Sequence, residues 1–269
     1  MFRFIRQIVN VFKPKQILNV AFDSGHRRRP TIVLLHGIAA SSNTWKPLIE
    51  ELDTDKHRIV AIDLLGFGES PRPVNCKYDV DDHTEYIRRT IKRLRIRQPF
   101  KIVGHSMGSI VAAHYSYMYP QDISEEYLLS LPLYNVDNKN ILAKTRTDLY
   151  MKAYDFIMKN KDFTISNSKF LRKLFKIEDG IDVTEETWDS FRLSLQNTVM
   201  TQNVYHDIKN TAVPTKIIFG MFDELLVPEN IVTLKKFSHT TITKLNGVSH
   251  LLSAKFARLV ADQITSNRN

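Results

Sequence analysis

A chain of 269 residues with 43% apolar side chains is long enough to form one large α/β domain around a sizeable core. No uninterrupted apolar run reaches the roughly 18 residues of a membrane-spanning helix, which argues against an integral helical membrane protein. The net charge of +9 comes without zinc-ligand spacing or a phosphate-binding glycine motif, so we predict no nucleic-acid partner, no metal and no cofactor.

The first fifteen residues, MFRFIRQIVNVFKPK, combine an apolar stripe with basic residues. The stripe residues recur at helical spacing and are Phe2, Ile5, Val9 and Phe12. We therefore predict an N-terminal amphipathic helix over residues 1–15. One interpretation is a weak peripheral contact with an anionic membrane. The other is packing, either on the chain's own domain or on a second subunit, and packing on a second subunit would give an oligomer. The segment lacks the apolar core and cleavage site of a secretory signal, and the single Cys76 suits a reducing compartment, so we expect a cytoplasmic protein.

Six short apolar runs along the chain predict β-strands. They lie at residues 31–37, 57–66, 99–105, 126–131, 215–220 and 240–247. Helical patterns alternate with them at residues 44–52, 80–94, 106–119, 228–237 and 250–264. The strand runs are nearly continuous in apolar residues, as expected for strands that are buried on both faces of a parallel sheet. The alternation predicts an α/β fold with a doubly wound, mostly parallel sheet.

Residues 134–213 interrupt the alternation because they contain no good strand run. Their pattern predicts three or four helices inserted between two strands. Ligands of open α/β sheets bind outside the carboxyl ends of the strands, so an insertion there can cover the site. We predict a helical lid over residues 134–213 and a core formed by residues 16–133 and 214–269. A purely structural helical subdomain is the alternative.

The segment GHSMG at residues 104–108 places one serine between two glycines, after a predicted strand and before a predicted helix. A sharp turn of this kind exposes the hydroxyl of Ser106 and holds its backbone in a strained conformation. Side chains two positions before and after the serine would collide in the turn, which accounts for Gly104 and Gly108. We predict that Ser106 is a catalytic nucleophile.

A nucleophilic serine requires a histidine base and a carboxylate that orients the histidine. When the serine lies on such a strand-to-helix turn, the chain order is serine, acid, histidine. His250 follows the last predicted strand at its carboxyl end, whereas His239 begins that strand, so we predict His250 as the base. Asp223 follows another strand at the same edge and is the predicted acid. Glu224 and Asp137 are the alternatives.

Acyl transfer also requires N–H donors for the negatively charged oxygen that forms on the substrate. We predict that the backbone N–H of Met107, the residue after the serine, is one donor. Ile38 in the segment HGIAASSNTW would supply the second. We interpret His36 as a residue that organises this loop, because it precedes the serine in the chain.

These segments together resemble the α/β-hydrolase superfamily, in particular its lid-bearing branch of small esterases, carbon–carbon bond hydrolases and cofactor-free haloperoxidases. The matching segments are LLHGIAASSNTW, DLLGFGESPRP, GHSMGS, GMFDELLVP and GVSH. The similarity extends from about Thr31 to the C-terminus, while ILNVAFDSG is a shortened form of the usual opening hairpin. The resemblance implies the α/β-hydrolase fold. A serine nucleophile argues against the haloalkane dehalogenases and epoxide hydrolases of this branch, which attack through a carboxylate.

We predict a serine hydrolase that cleaves a small-molecule carboxylic ester through an acyl-enzyme. Apolar residues close to the predicted site indicate a pocket for an apolar acyl or alcohol group, and they are Ile38, Met107, Leu225, Leu226 and Leu251. On the lid, Trp188 and Phe191 either close this pocket or belong to the core. Carbon–carbon bond hydrolysis or perhydrolysis by the same triad is one alternative. His105 favours an ester, because carbon–carbon hydrolases of this type often have asparagine there. A non-catalytic ligand-binding protein with the hydrolase fold is the other alternative.

Overall fold

The computed structural model describes residues 16–174 and 183–266. The amphipathic helix over residues 1–15 lies outside these ranges and stays a prediction. None of the described helices is both long enough and apolar enough to cross a membrane.

Within the described residues, seven strands form one sheet. They are β1 (Val20–Asp23), β2 (Thr31–Leu35), β3 (Arg58–Ile62), β4 (Phe100–His105), β5 (Ile123–Leu129), β6 (Thr215–Gly220) and β7 (Thr240–Leu245). Their spatial order is β1-β3-β2-β4-β5-β6-β7, with β1 antiparallel to β3 and the other neighbours parallel. The predicted mostly parallel α/β sheet is confirmed.

The strand that the sequence did not predict is β1. It has only four residues of alternating exposure at the edge of the sheet, so its apolar signal is weak. Asp23 at its end accepts a 2.6 Å hydrogen bond from the guanidinium of Arg58 on β3, which is almost fully buried. The segment ILNVAFDSG thus contributes one edge strand, which pairs with β3.

The helices are α1 (Lys46–Glu51), α2 (Val80–Arg93), α3 (Met107–Met118), α4 (Ile141–Lys159), α5 (Lys161–Ser166), α6 (Ser168–Leu174), α7 (Trp188–Ser194), α8 (Val204–Asn210), α9 (Pro228–Val232) and α10 (Ala254–Thr265). A π-helix, Leu195–Met200, directly continues α7. The last helix begins at Ala254 rather than at residue 250, because the side chain of Ser253 caps it by accepting from the N–H of Phe256. His250 therefore lies in the loop between β7 and α10.

The sheet separates two apolar cores, because successive side chains of a strand point to opposite faces. Val33, Val60 and Ile102 lie in register and join the larger core, which includes apolar side chains of α2 and α3. Leu34, Ala61 and Val103 are the next residues in register and join the smaller core, which includes side chains of α1 and α10. Helices therefore cover both faces, and the residues that follow the parallel strands meet at one edge.

Helices α4 to α8 and the π-helix lie between β5 and β6, within the segment predicted to be helical. The C-terminal end of this insertion is fixed to the core by His114 of α3, whose two ring nitrogens contact Asp207 of α8 at 2.8 Å and Asp81 of α2 at 3.0 Å. The insertion begins immediately after the carboxyl end of β5, which places it beside the edge where Ser106 lies.

Candidate active site

Ser106 lies at the junction between β4 and α3 in a strained backbone conformation, with φ of 53° and ψ of −123°. A Cβ atom added to Gly104 would lie 2.2 Å from the carbonyl oxygen of Gly108, and one added to Gly108 would lie 2.1 Å from the carbonyl oxygen of Leu35. Both positions therefore require glycine. The reason extends beyond the turn itself, because Gly108 also packs against the end of β2.

His250 and Asp223 form a buried hydrogen-bonded pair at the same edge of the sheet. Nδ1 of His250 lies 2.9 and 3.0 Å from the two carboxylate oxygens of Asp223, although the residues are 27 positions apart in the chain. Since a carboxylate only accepts, Nδ1 carries the proton and Nε2 remains as the basic nitrogen. Burial opposes the charge of Asp223, but the adjacent His250 and its hydrogen bond lower the pKa of Asp223 below its ordinary value.

The alternative residues occupy other places. His239 contacts the carbonyl oxygen of Ile208 at 2.8 Å, at the start of β7 and hence at the opposite edge of the sheet. Asp137 borders a separate open cavity at the start of α4. Among the candidate acids, Asp223 is the residue whose carboxylate lies within hydrogen-bond distance of His250.

Ser106 and His250 border one partly open cavity. The rest of its wall is mostly apolar and consists of Ile38, Ala39, Pro132, Tyr134, Tyr154, Ile157, Phe191, Leu195, Val199 and Leu225. Helices α4 and α7 and the π-helix of the insertion contribute half of these residues. The insertion therefore forms a wall of the space in front of Ser106.

The structure brings only some of the predicted pocket residues to this wall. Ile38, Leu225 and Phe191 border the cavity, whereas Leu226, Leu251 and Trp188 do not. Leu226 is buried in the larger core. Trp188 belongs to the same core, and its ring centroid lies 6.1 Å from that of Phe191. Trp188 therefore packs against Phe191, which borders the cavity, without bordering the cavity itself.

The two residues predicted to supply N–H donors lie close to the serine. Met107 is the first residue of α3, and its side chain is fully buried, so only its backbone can take part. Ile38 borders the cavity in the loop after β2. A Cβ atom on the preceding Gly37 would lie 3.1 Å from Cβ of Ser106, so glycine lets this loop approach the serine closely. Their role towards an oxyanion stays a prediction.

Two buried histidines hold the loops around the site. The N–H of Leu64 donates to Nε2 of His36 at 2.9 Å, so Nδ1 carries the proton and donates to the carbonyl oxygen of Gly37 at 2.7 Å. Nε2 of His105 donates to the carbonyl oxygen of His250 at 2.9 Å. Burial, assisted by the nearby His250, lowers the pKa of His105 to about 3, so this ring is neutral and serves as a fixed donor.

Three tyrosines that the sequence did not single out fix the loop after β6 to the insertion. The hydroxyl of Tyr134 donates to the carbonyl oxygen of Leu225 at 2.8 Å. Its single proton is then used, so the hydroxyl of Tyr154 on α4 must donate to the oxygen of Tyr134, 2.9 Å away. Tyr150 on α4 donates to the carbonyl oxygen of Glu224. Burial raises the pKa of Tyr154 to about 12, which keeps it a donor at neutral pH.

Comparison with known proteins finds sequence relatives and solved structures with a similar fold. Lipase 1 of Psychrobacter immobilis is 22% identical over 263 residues, which cover 92% of this chain and 79% of that protein. A protein of Arabidopsis thaliana named probable lysophospholipase BODYGUARD 4 is 39% identical over 82 residues, 30% of this chain and 20% of that one. The crystal structure of a haloalkane dehalogenase loop variant from Bradyrhizobium elkanii is 14% identical, with a TM-score of 0.69 over 90% of this chain and 89% of that chain.

The family model described as the alpha/beta hydrolase fold matches residues 30–253. That range begins just before β2, contains the glycine-flanked Ser106 and ends at the cap of the last helix, three residues after His250. Together with the sheet order, this match shows that the chain belongs to the α/β-hydrolase fold family.

Proposed function

We propose that this protein is a serine hydrolase that cleaves carboxylic esters with an apolar acyl or alcohol part. The observation that carries the proposal is the buried pair of His250 and Asp223 beside Ser106, at a cavity with a mostly apolar wall. A histidine held through Nδ1 by a carboxylate keeps Nε2 available for the proton of a serine hydroxyl. The relatives named as lipase and lysophospholipase also support ester substrates.

In the proposed mechanism, Oγ of Ser106 attacks the acyl carbon while its proton passes to Nε2 of His250. The tetrahedral intermediate collapses, the bond to the alcohol oxygen breaks, and His250 returns the proton to the leaving alcohol. Water then attacks the acyl-enzyme, giving one proton to His250, and the acid leaves as Ser106 recovers its proton. Asp223 holds the ring and stabilises its cation throughout.

The negative charge of the intermediate would form at the N-terminus of α3. The backbone N–H groups of Met107 and Ile38 are the proposed donors to this oxygen, and the positive end of the α3 dipole favours the same charge. Each donor neighbours a closely packed glycine, since Gly37 packs against the serine and Gly108 packs against the end of β2. Removing one such donor typically costs about 10²–10³ in kcat.

A fluorophosphonate probe and a panel of p-nitrophenyl esters of graded acyl length test the proposal. We expect the wild type to be labelled and to hydrolyse the esters, and Ser106→Ala to lose the label and to lower kcat by about 10⁶. An intact Ser106→Ala variant that keeps more than a few per cent of the activity would reject Ser106 as the nucleophile. Absence of labelling would favour a non-catalytic binding protein, and preference for a vinylogous diketone or for peroxide would favour the other triad chemistries.

A further inference from the structure

A row of exposed apolar side chains runs along the outside of the insertion at every seventh residue. We call it the outer stripe, and it consists of Leu142, Leu149, Phe156, Phe163 and Phe170, which are 45% to 63% exposed. Seven residues are almost two helical turns, so the three members on α4 share one face of that helix. The rings of Phe156 and Phe163 lie 5.5 Å apart, which continues the stripe from α4 to α5. Ile141, 83% exposed, extends the apolar surface at its beginning.

The outer stripe is separate from the core and from the cavity. Helix α4 faces the cavity through Tyr154 and Ile157 and faces the larger core through Ala143. A helix with a second apolar row on its solvent side has more apolar surface than its own domain covers. Exposed apolar side chains that share one face of α4 and continue through Phe163 are typical of an interaction surface.

Basic residues accompany the stripe. Residues 141–174 contain eight lysines and arginines and three aspartates. Lys152 lies three residues after Leu149 and four before Phe156, so it occupies the same helix face between them. Lys159 pairs with Asp155, and Lys161 pairs with Glu185.

Three exposed lysines of the insertion keep their charge available. Across residues 16–174 and 183–266, no ion pair is found for Lys144, Lys152 or Lys169. Lys169 directly precedes Phe170 in the chain, and Lys144 lies two residues after Leu142. Lys152 can therefore meet an anionic group at the level to which the apolar side chains of α4 reach, whereas Lys144 lies on the other side of that helix from Leu142.

We propose that the outer stripe docks the protein on the surface of an anionic lipid bilayer. Exposed phenylalanine and leucine side chains enter the boundary between headgroups and acyl chains, and the neighbouring lysines contact the anionic headgroups. A second copy of this basic surface, or the basic segment of residues 1–15, would be repelled by the same lysines. A lipid surface supplies the opposite charge and requires no shaped groove. This inference goes beyond the proposed function, and it places the wall of the cavity against the membrane.

The test is sedimentation of the full-length protein with vesicles of phosphatidylcholine alone and of phosphatidylcholine mixed with phosphatidylglycerol, at low and high salt. We expect binding to the anionic vesicles that weakens with salt. The variant Leu149→Ser/Phe156→Ser/Phe163→Ser should bind the anionic vesicles at least about tenfold more weakly than the wild type. The matched control Val74→Ser/Met118→Ser/Val232→Ser, at exposed apolar positions elsewhere, should bind like the wild type.

The charge component has its own variant, Lys152→Glu/Lys169→Glu, which should lose binding to anionic vesicles. It also tests the surface if the triple serine variant fails to fold, which melting curves would show. If the stripe variants bind the vesicles as well as the wild type does, the proposal is overturned and residues 1–15 are favoured as the membrane-binding segment. Absence of wild-type binding would also overturn it, as would a dimer in sedimentation velocity that only the stripe variants abolish. Vesicle binding is measured without substrate turnover. A protein that binds vesicles but hydrolyses no ester would therefore reject the proposed function and leave the membrane proposal intact.

Discussion

The hydroxyl of Tyr134 donates a 2.8 Å hydrogen bond to the carbonyl oxygen of Leu225, two residues after the aspartate that holds His250. Tyr134 follows β5 at the start of the insertion and Leu225 follows β6, so this bond joins the start of the insertion to the loop that carries Asp223. The hydroxyl of Tyr154 donates to the same tyrosine and thereby connects α4 to this bond. The position of Asp223 is therefore linked to the position of the insertion.

Tyr134→Phe should lower both the stability and the activity of the protein. The change leaves the carbonyl of Leu225 and the hydroxyl of Tyr154 without their buried partner, which costs about 1–3 kcal/mol for each unsatisfied group. We expect a lower melting temperature and a reduced kcat for esters, with a smaller change in KM. Tyr154→Phe is the matched control, because it keeps the bond to Leu225. Equal kcat values for the two variants would contradict a positioning role of Tyr134.

Asp223→Asn should reduce kcat by about 10⁴, because an amide favours the wrong tautomer of His250. Glu224→Gln and Asp137→Asn should have much smaller effects, since the carboxylate within 3.0 Å of His250 is that of Asp223. Steady-state kinetics with a short p-nitrophenyl ester measure all three variants. A larger loss from Glu224→Gln than from Asp223→Asn would assign the acid to Glu224.

Phe191→Ala should shift the substrate preference towards longer acyl chains. Phe191 belongs to the cavity wall, so removing its ring enlarges the space in front of Ser106. The measurement is the ratio of kcat/KM for long and short esters. Trp188→Phe is the control, because Trp188 packs against Phe191 without bordering the cavity. It should change the melting temperature more than this ratio, and an unchanged ratio in a folded Phe191→Ala variant would argue against a selective role of the insertion.

His114 should stabilise the protein more at acidic than at alkaline pH. Burial lowers the pKa of His114, but the hydrogen bonds and charges of Asp207 and Asp81 outweigh burial, so its pKa is raised above the ordinary value of 6.5. A raised folded pKa gives a stabilisation that is fully present below about 6.5 and is lost as the pH rises through the folded pKa. A neutral ring can donate to only one of the two carboxylates.

Thermal unfolding of the wild type and of His114→Gln, followed from pH 5.5 to pH 9, checks this prediction. The difference in melting temperature should be largest at the acidic end and should shrink as the pH rises. His26→Gln, at an exposed histidine, controls for general effects of losing an imidazole. A difference that is constant or grows with pH would contradict the prediction.

The sequence alone determined the features that depend on local chain geometry and on the order of the strands. Gly104, Ser106 and Gly108 lie within five residues, so their spacing predicts the strained turn that the structure contains. Asp223 and His250 each follow a strand, and the carboxyl ends of parallel strands meet at one edge of the sheet. Their meeting across 27 residues could therefore be expected from the alternation of strands and helices.

Tertiary packing alone decided the wall of the cavity and the edge of the sheet. Leu225 and Leu226 are adjacent and chemically alike, yet only Leu225 borders the cavity. Trp188, a candidate for the cavity wall, lies in the core, whereas Tyr154, which the sequence did not single out, borders the cavity. The docking of α4 and α7 on the core decides which face of each helix turns inward. Strand β1 is stabilised by pairing with β3, and Arg58 of β3 lies 35 residues after its partner Asp23 in the chain. Such contacts depend on the relative positions of distant segments, and no local pattern specifies those positions.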